Sequence, residues 1–452
     1  IFAVRKNVIK KTNIMKKHLL MVLVAMLAVA QNAFAYDFSV QSPSGHTLNY
    51  NIIDEHSVEV IGSDCTGDLI IPESVVHEAN TYYVTTIGGY AFYYASGLTS
   101  IVIPNTVTTI RDYSFWNCDG LLSLNIPSSV TNIEQFAFYY FSAPNSITVE
   151  SGNPVYDSRE GCNAIIETAT NTLIVGCKNT VIPNTVTSLA VYAFSNCHDL
   201  ISITIPSSVT SIGSGAFEKC NSLTSIVIPA SVTYVGSYAF NYCDALTAIS
   251  VESGNTVYDS REDCNAVIET ATNMLVKGCM NTVIPSSVTS IGYYALGRCV
   301  GLTSVTFSSG VTAIGSEAFH GCSGLTSIEC MAEVPPAVGY AALDEITTSI
   351  PVYVPCGKAA DYQAAEGWSN FTNIQEVCGT TGTTGVSVYA EFGAVVVEGA
   401  AGNRVTFYDN AGNVLSTRVP NMNEPLRFES LTSGTYYVKI GILPSRLKVV
   451  VR

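Results

Sequence analysis

The sequence predicts a mainly β solenoid of short stacked coils. Three observations predict it. An apolar-x-apolar-Pro segment such as Ile101-Val-Ile-Pro104 recurs along the chain. A Phe or Leu returns at 92, 115, 138, 194, 217, 240, 296 and 319, in steps of 23 residues except for two of 56. Most of these residues open a small-Phe-x-x-Cys turn such as Ser114-Phe-Trp-Asn-Cys118. A unit this short cannot bury its apolar face alone, so neighbours must stack to close a core.

Each step of 56 is one ordinary coil plus one ten residues longer. The repeat predicts strands centred at 70, 102, 125, 148, 181, 204, 227, 250, 283, 306, 329 and 353. Rungs about 4.8 Å apart would stack into a rod or arc about 50 Å long.

Residues 1–35 read as a secretory leader with an over-extended start. Met15-Lys-Lys, the apolar run Leu19 to Ala30 and Ala33-Phe-Ala35 supply the charged, apolar and small-x-small parts, and predict cleavage after Ala35. No later stretch is apolar enough for a membrane-spanning helix. From Tyr36 to residue 84, short alternating runs (Phe38-Ser-Val, Leu48 to Ile53, Val58 to Ile61, Leu69 to Ile71) predict an N-terminal cap over the open edge of the first coil.

Residues 85–378 form the solenoid with its C-terminal cap. In each coil Leu-x-x-Ile-x-Ile places alternate side chains inward as a half-buried strand, and proline, which lacks the ladder N–H, ends it. The two long coils replace the Phe turn with Cys162 to Cys177 and its near copy Cys264 to Cys279, each an apolar run, a Thr-x-Thr-Asn turn and a second apolar run. These predict hairpins, and the Cys at each mouth predict two disulfides, each stabilising by roughly 3 kcal/mol. Two buried thiols per hairpin are the alternative. Val352-Tyr-Val-Pro-Cys356 to Cys378, with Lys358 to Ala365 and Trp368, predicts the closing cap. Gly379 to Gly385 reads as a flexible linker, and the alternating runs of residues 386–452 as a small β-sandwich.

The coil Leu-x-x-Ile-x-Ile-Pro-x-x-Val-x-x-Ile-Gly-x-x-Ala-Phe-x-x-Cys resembles the 23-residue leucine-rich repeat of the BspA-like, or Treponema pallidum type, surface proteins, over roughly residues 60–378. The C-terminal segment is similar to the sorting domains of Bacteroidetes exported proteins through Val405-Thr-Phe-Tyr-Asp-Asn-Ala-Gly412, Ser433-Gly-Thr-Tyr-Tyr-Val-Lys439 and Lys448-Val-Val-Val-Arg452. The proline-containing opening common in such domains is missing near Val388-Tyr389. The resemblance implies a cell-surface or secreted location, export by type IX secretion, and adhesion to host extracellular matrix proteins, host cells or other bacteria.

The formal charge of -15 falls to -21 once the leader, with its six Lys/Arg and no acid, is removed. That argues against a nucleic-acid partner, whose phosphates need a basic footprint. Six scattered His and the absence of paired metal spacings imply no metal site and no cofactor. No nucleophile elbow, phosphate loop, dinucleotide fingerprint or calcium loop occurs. The chain therefore reads as non-enzymatic. A secreted hydrolase with a triad assembled from distant loops is the rival reading.

The register cysteines Cys118, Cys197, Cys220, Cys243, Cys299 and Cys322 read as small core-filling side chains or as a thiol or metal ladder. Two surfaces are candidates for binding. The outward strand positions (Val102, Asn125, Thr148, Val181, Thr204, Val227, Ser250, Val283, Thr306, Glu329) make a smooth, almost uncharged face. The residue before each Ala/Ser-Phe is aromatic at Tyr90, Tyr113, Phe136, Tyr192, Tyr238 and Tyr294, with Tyr93, Tyr94, Trp116, Tyr139, Tyr140 and Tyr242 thickening the stripe. Such a stripe binds protein or glycan, or else stiffens the turn edge. A glycan-binding module is thus a second expectation beside protein adhesion.

Overall fold

The computed structural model describes residues 36–62, 65–141 and 144–377, and parts of 387–451. The expected leader with its cleavage site, Cys378 and the linker lie outside the described residues. The described residues fall into two compact units, those from 36 to 223 with 234–243, and 224–233 with those from 244 onward.

In the first unit, strands Phe38–Gln41, Thr47–Ile52 and Ser57–Ile61 pair antiparallel in order. The third then pairs parallel with Asn80–Ile87, itself parallel to Thr109–Ile110, which neighbours Asn132–Ile133. The cap sheet thus runs directly into the second, two-residue ladder of the coils. Strand Gly67–Ile70, expected in the cap, pairs parallel with Leu98–Val102 and so opens the first ladder.

The coil pattern works as its side chains dictate. Ile101 and Ile103 point inward while Val102 stands outside. After the proline a tight turn returns the chain, with the N–H of Val107 donating to Pro104 O (3.0 Å) and that of Val209 to Pro206 O (3.0 Å). The inward Phe residues stack along the axis: Phe115 on Phe138 at 5.3 Å, Phe194 on Phe217 at 5.1 Å and Phe217 on Phe240 at 5.6 Å between ring centroids. Burying such a side chain stabilises by about 1.5–3 kcal/mol.

The long coils do form hairpins, Ala164–Glu167 with Thr172–Gly176 and Ala266–Glu269 with Met274–Gly278. Each gains a further strand, Tyr156–Asp157 or Tyr258–Asp259. The expected disulfides are not formed: Cys162, Cys177, Cys264 and Cys279 are free, buried thiols. Pairing of Ala164 with Gly176 sets Asn163, not Cys162, across from Cys177, and a one-residue offset turns side chains to opposite faces. The Cys177 thiol donates instead to Asn163 O (3.5 Å), and that of Cys279 to Asn265 O (3.4 Å).

Strands expected at 181, 204 and 283 are absent as hydrogen-bonded strands. At 181 and 283 the hairpins explain the loss. Val181 N–H and Val283 N–H reach Cys162 O and Cys264 O, while the hydroxyls of Thr180 and Thr282 occupy the carbonyls of Asn163 and Asn265.

In the second unit, Ser225–Ile228 pairs with Ala248–Val251, and Ser304–Phe307, Ser327–Cys330, Val352–Pro355 and Ile374–Val377 form a parallel ladder. Helix Ala359–Ala364 and the buried Trp368 pack against its last strands. Tyr362 donates its hydroxyl proton to Ala332 O (2.8 Å), and fully buried Trp368 donates from Nε1 to Pro336 O (2.9 Å). Cys356 is disulfide-bonded. Beyond residue 386 the described strands form antiparallel sheets of three and four strands. They contribute one apolar cluster that includes Val395, Phe407, Phe428 and Val438.

Candidate binding surface

The turn edge of each coil is built on an unusual backbone. Two residues four apart take left-handed φ: Tyr90 and Tyr94, Tyr113 and Asn117, Phe136 and Tyr140, Tyr192 and Asn196, Tyr238 and Tyr242, Tyr294 and Arg298. For non-glycine residues this conformation costs about 1–2 kcal/mol each. Tight reversals demand it, and ladder bonds hold it. Tyr93 N–H returns to Tyr90 O (3.2 Å), while Tyr90, Phe92 and Tyr94 donate to Asp112 O, Ser114 O and Trp116 O of the next coil (3.3, 2.8 and 2.9 Å).

This geometry sorts the rings of the first unit into columns. Tyr90, Tyr113 and Phe136 lie face to face at 5.2 and 5.5 Å, with interplanar angles of 13° and 16°. Tyr192 continues the column, tilted, 5.8 Å from Phe136. The column ends at Gly215, where a Cβ would come within 2.3 Å of the Tyr192 ring. Three residues along each turn, Tyr93, Trp116 and Tyr139 make a second column at 4.7 and 5.5 Å, inclined by 61° and 57°. Tyr90, Tyr93 and Tyr94 are 38%, 45% and 55% exposed.

Past Tyr139 the second column turns polar, through Ser195, Glu218 and Asn241, all buried. Glu218 lies beside Tyr139, Tyr140 and Tyr192. Burial is the chief cause that raises its carboxyl above the usual value and raises those phenols too, Tyr140 to about 12. Lys219 Nζ sits 3.9 Å from the Tyr140 ring centroid. Neither Glu218 nor Lys219 stands out in a search for chemistry. Reading positions 93, 116, 139, 195 and 218 as one repeat position would have exposed the change from aromatic to polar.

The expected stripe is therefore only partly assembled. The structure joins Tyr90, Tyr113, Phe136 and Tyr192. Tyr238 is half-buried beyond the Gly215 gap, and Tyr294, in the second unit, is buried at 5% exposure and carries no open face. On the strand face Val102, Asn125, Thr148, Val181, Thr204, Val227, Ser250 and Val283 are exposed, Thr306 is half-buried, and Glu329 is buried and accepts a hydrogen bond from Thr306.

The register thiols point inward to backbone. Those of Cys220, Cys243 and Cys322 donate to carbonyls one coil back, at 3.2, 3.1 and 3.0 Å. Burial pushes Cys118 up to about 12 and Cys322 to about 11, which suppresses thiolate chemistry. Among the described residues no group of three or more His, Cys, Asp or Glu could hold a metal ion. No described helix is long and apolar enough to cross a membrane.

The family model for the BspA type leucine rich repeat region matches residues 77–162, 172–272 and 276–341, more than half of the chain, in six copies. The chain belongs to this family. The breaks between the matched BspA type segments fall in the two hairpins, where the long coils depart from the repeat. Similar solved structures include a leucine rich cell surface protein from Faecalibacterium prausnitzii, 23% identical with a TM-score of 0.44, covering 76% of this chain and 96% of that one. A leucine-rich repeat protein from Bacteroides ovatus is 23% identical with a TM-score of 0.40, covering 75% and 88%. A T. pallidum leucine rich repeat protein is 18% identical with a TM-score of 0.22, covering 62% and 87%. No curated protein matches the chain.

Proposed function

We propose that this chain is a non-enzymatic binding protein of the cell surface or secreted fraction, adhering to host matrix proteins, host cells or other bacteria through the aromatic turn edge of its first unit. One observation carries the reading. Tyr90, Tyr93 and Tyr94 are substantially exposed on rings already locked together coil by coil. Rigid aromatics with polar tips give large contact area at little ordering cost. Core stacking by Phe92, Phe115 and Phe138 already serves the stability of these coils. Family membership supports a protein-binding role, and solenoid contacts add along the array. Under the same reading residues 1–35 direct export, with cleavage after Ala35, and residues 386–452 act as a sorting domain.

The test is binding of the full chain to immobilised matrix proteins, host cells and bacteria, beside a Tyr93→Ser/Tyr94→Ser variant whose melting is unchanged. Loss of binding in the variant supports the reading. Equal binding by both proteins removes the turn edge from it.

A further inference from the structure

We infer that the inclined column Tyr93–Trp116–Tyr139, with the polar groups that follow it, recognises a neutral polysaccharide chain laid along the coils. This rests on the turn edge being the binding surface and names the chemistry it takes. The two columns differ in what they leave open. Tyr90, Tyr113 and Phe136 spend their faces on one another. Tyr93 and Trp116 are inclined by about 60°, so neither covers the other as stacked rings do, and Tyr93 is exposed; Tyr139, inclined to Trp116 in turn, is stacked on Tyr140 at 4.1 Å. Their spacing, one ring per coil, is comparable with the length of one pyranose unit. A sugar ring offers an apolar C–H face for an aromatic and a rim of hydroxyls for polar neighbours.

Polar neighbours stand where the column ends. Ser195 is 3% exposed, and its hydroxyl has no hydrogen-bond partner among the described residues, a costly state for a buried polar group. Glu218, the next residue of the column, is buried beside the Tyr140 hydroxyl and the Asn241 amide. Glu218 and Asn241 are bonded to each other at 3.4 Å, so the unpartnered Ser195 hydroxyl is the group this end of the platform leaves to bond a sugar hydroxyl.

Charge selects a neutral polymer. Among the described residues of this edge, Arg111 is engaged with Glu59 at 2.7 Å and Lys219 lies over Tyr140, so both cations are committed within the protein and not to a sulfate or uronate. The chain carries a net charge of -15, which repels an acidic polymer.

The chain holds its own probe. It has two tryptophans, Trp116 in the column and fully buried Trp368, so a ligand on the column changes emission from Trp116 and leaves Trp368 silent. The full chain is titrated with laminarin, mannan, xylan and soluble starch, and separately with heparin, hyaluronan, collagen and fibronectin, recording emission and acrylamide quenching. At least one neutral glycan shifts the emission to the blue and lowers the quenching constant. The Trp116→Phe variant loses that signal, which assigns it to the column, and Tyr93→Ala, with Trp368 emission unchanged, is retarded less than wild type by the same glycan in an affinity gel.

If collagen or fibronectin shields Trp116 and no neutral glycan does, the polysaccharide inference falls and the aromatic edge remains a protein-binding surface. Shielding by heparin or hyaluronan alone overturns the charge argument and the inference with it. If no probe shields Trp116 although the chain binds one of them, the inference and the turn-edge reading fall together.

Discussion

The thiol of Cys118 donates to the backbone carbonyl of Phe92, one coil back, at 2.8 Å. The same bond joins Cys220 to Phe194. It ties each Phe turn to the next and explains why a soft, small donor recurs at this position. Replacing Cys220 with Ala removes the bond and leaves a small void. The expected loss is about 1–2 kcal/mol in denaturant unfolding, and Cys220→Ser, which keeps a donor, loses less hydrogen bonding. Equal stability of wild type and Cys220→Ala would contradict the role.

Among the described residues twelve cysteines carry thiols outside any disulfide and Cys356 is disulfide-bonded, in a chain of fourteen. Thiol titration of the purified chain in guanidinium, without reductant, is expected to find twelve reactive groups. In native buffer at pH 8 the buried register thiols react far more slowly. Two missing thiols per hairpin would restore the disulfides that the structure lacks.

Glu218 gives a pH dependence of known sign. Its folded carboxyl is raised above the ordinary 4.5, chiefly by burial. Folding therefore favours the protonated form. Its contribution is fully present below 4.5 and is lost as pH rises through the raised folded value. Glu218→Gln is uncharged throughout, so relative to wild type the variant gains stability between pH 4 and pH 7. Chemical denaturation at both values checks this, and a gap that does not change with pH would refute it.

Asn153 binds four backbone groups. It donates to Pro127 O and Val130 O (2.9 and 2.8 Å) and accepts from Val155 N–H and Tyr156 N–H (2.9 and 2.8 Å), and Asn255 repeats the arrangement in the second long coil. Asn153→Ala strands these partners. It is expected to cost about 2–4 kcal/mol and to expose the Ile166 and Leu173 amides to hydrogen exchange.

The repeat made most of the fold legible, because 23-residue spacing and inward Phe, Leu and Ile positions admit few other arrangements. It also pointed to the ring stripe. What it missed depends on register and backbone sign. Cys162 and Cys177 look paired by sequence distance, but the hairpin offsets them by one residue. Tyr156–Asp157 and Arg159, which is ion-paired to Asp157 at 2.8 Å and donates to Asn171, were written in the copied stretch Val155 to Glu160 and Val257 to Glu262. Nothing in a Tyr says that its φ is +59°, yet that angle separates the stacked column from the inclined one.

The measurement that bears most directly on the central claim is residue-resolved hydroxyl-radical labelling of the full chain, free and bound to its partner. The account predicts that Tyr90, Tyr93, Tyr94 and Trp116 lose reactivity on binding while the strand face at Val102, Val181 and Val227 does not change. Protection confined to the strand face, with the four rings as reactive as before, would contradict it.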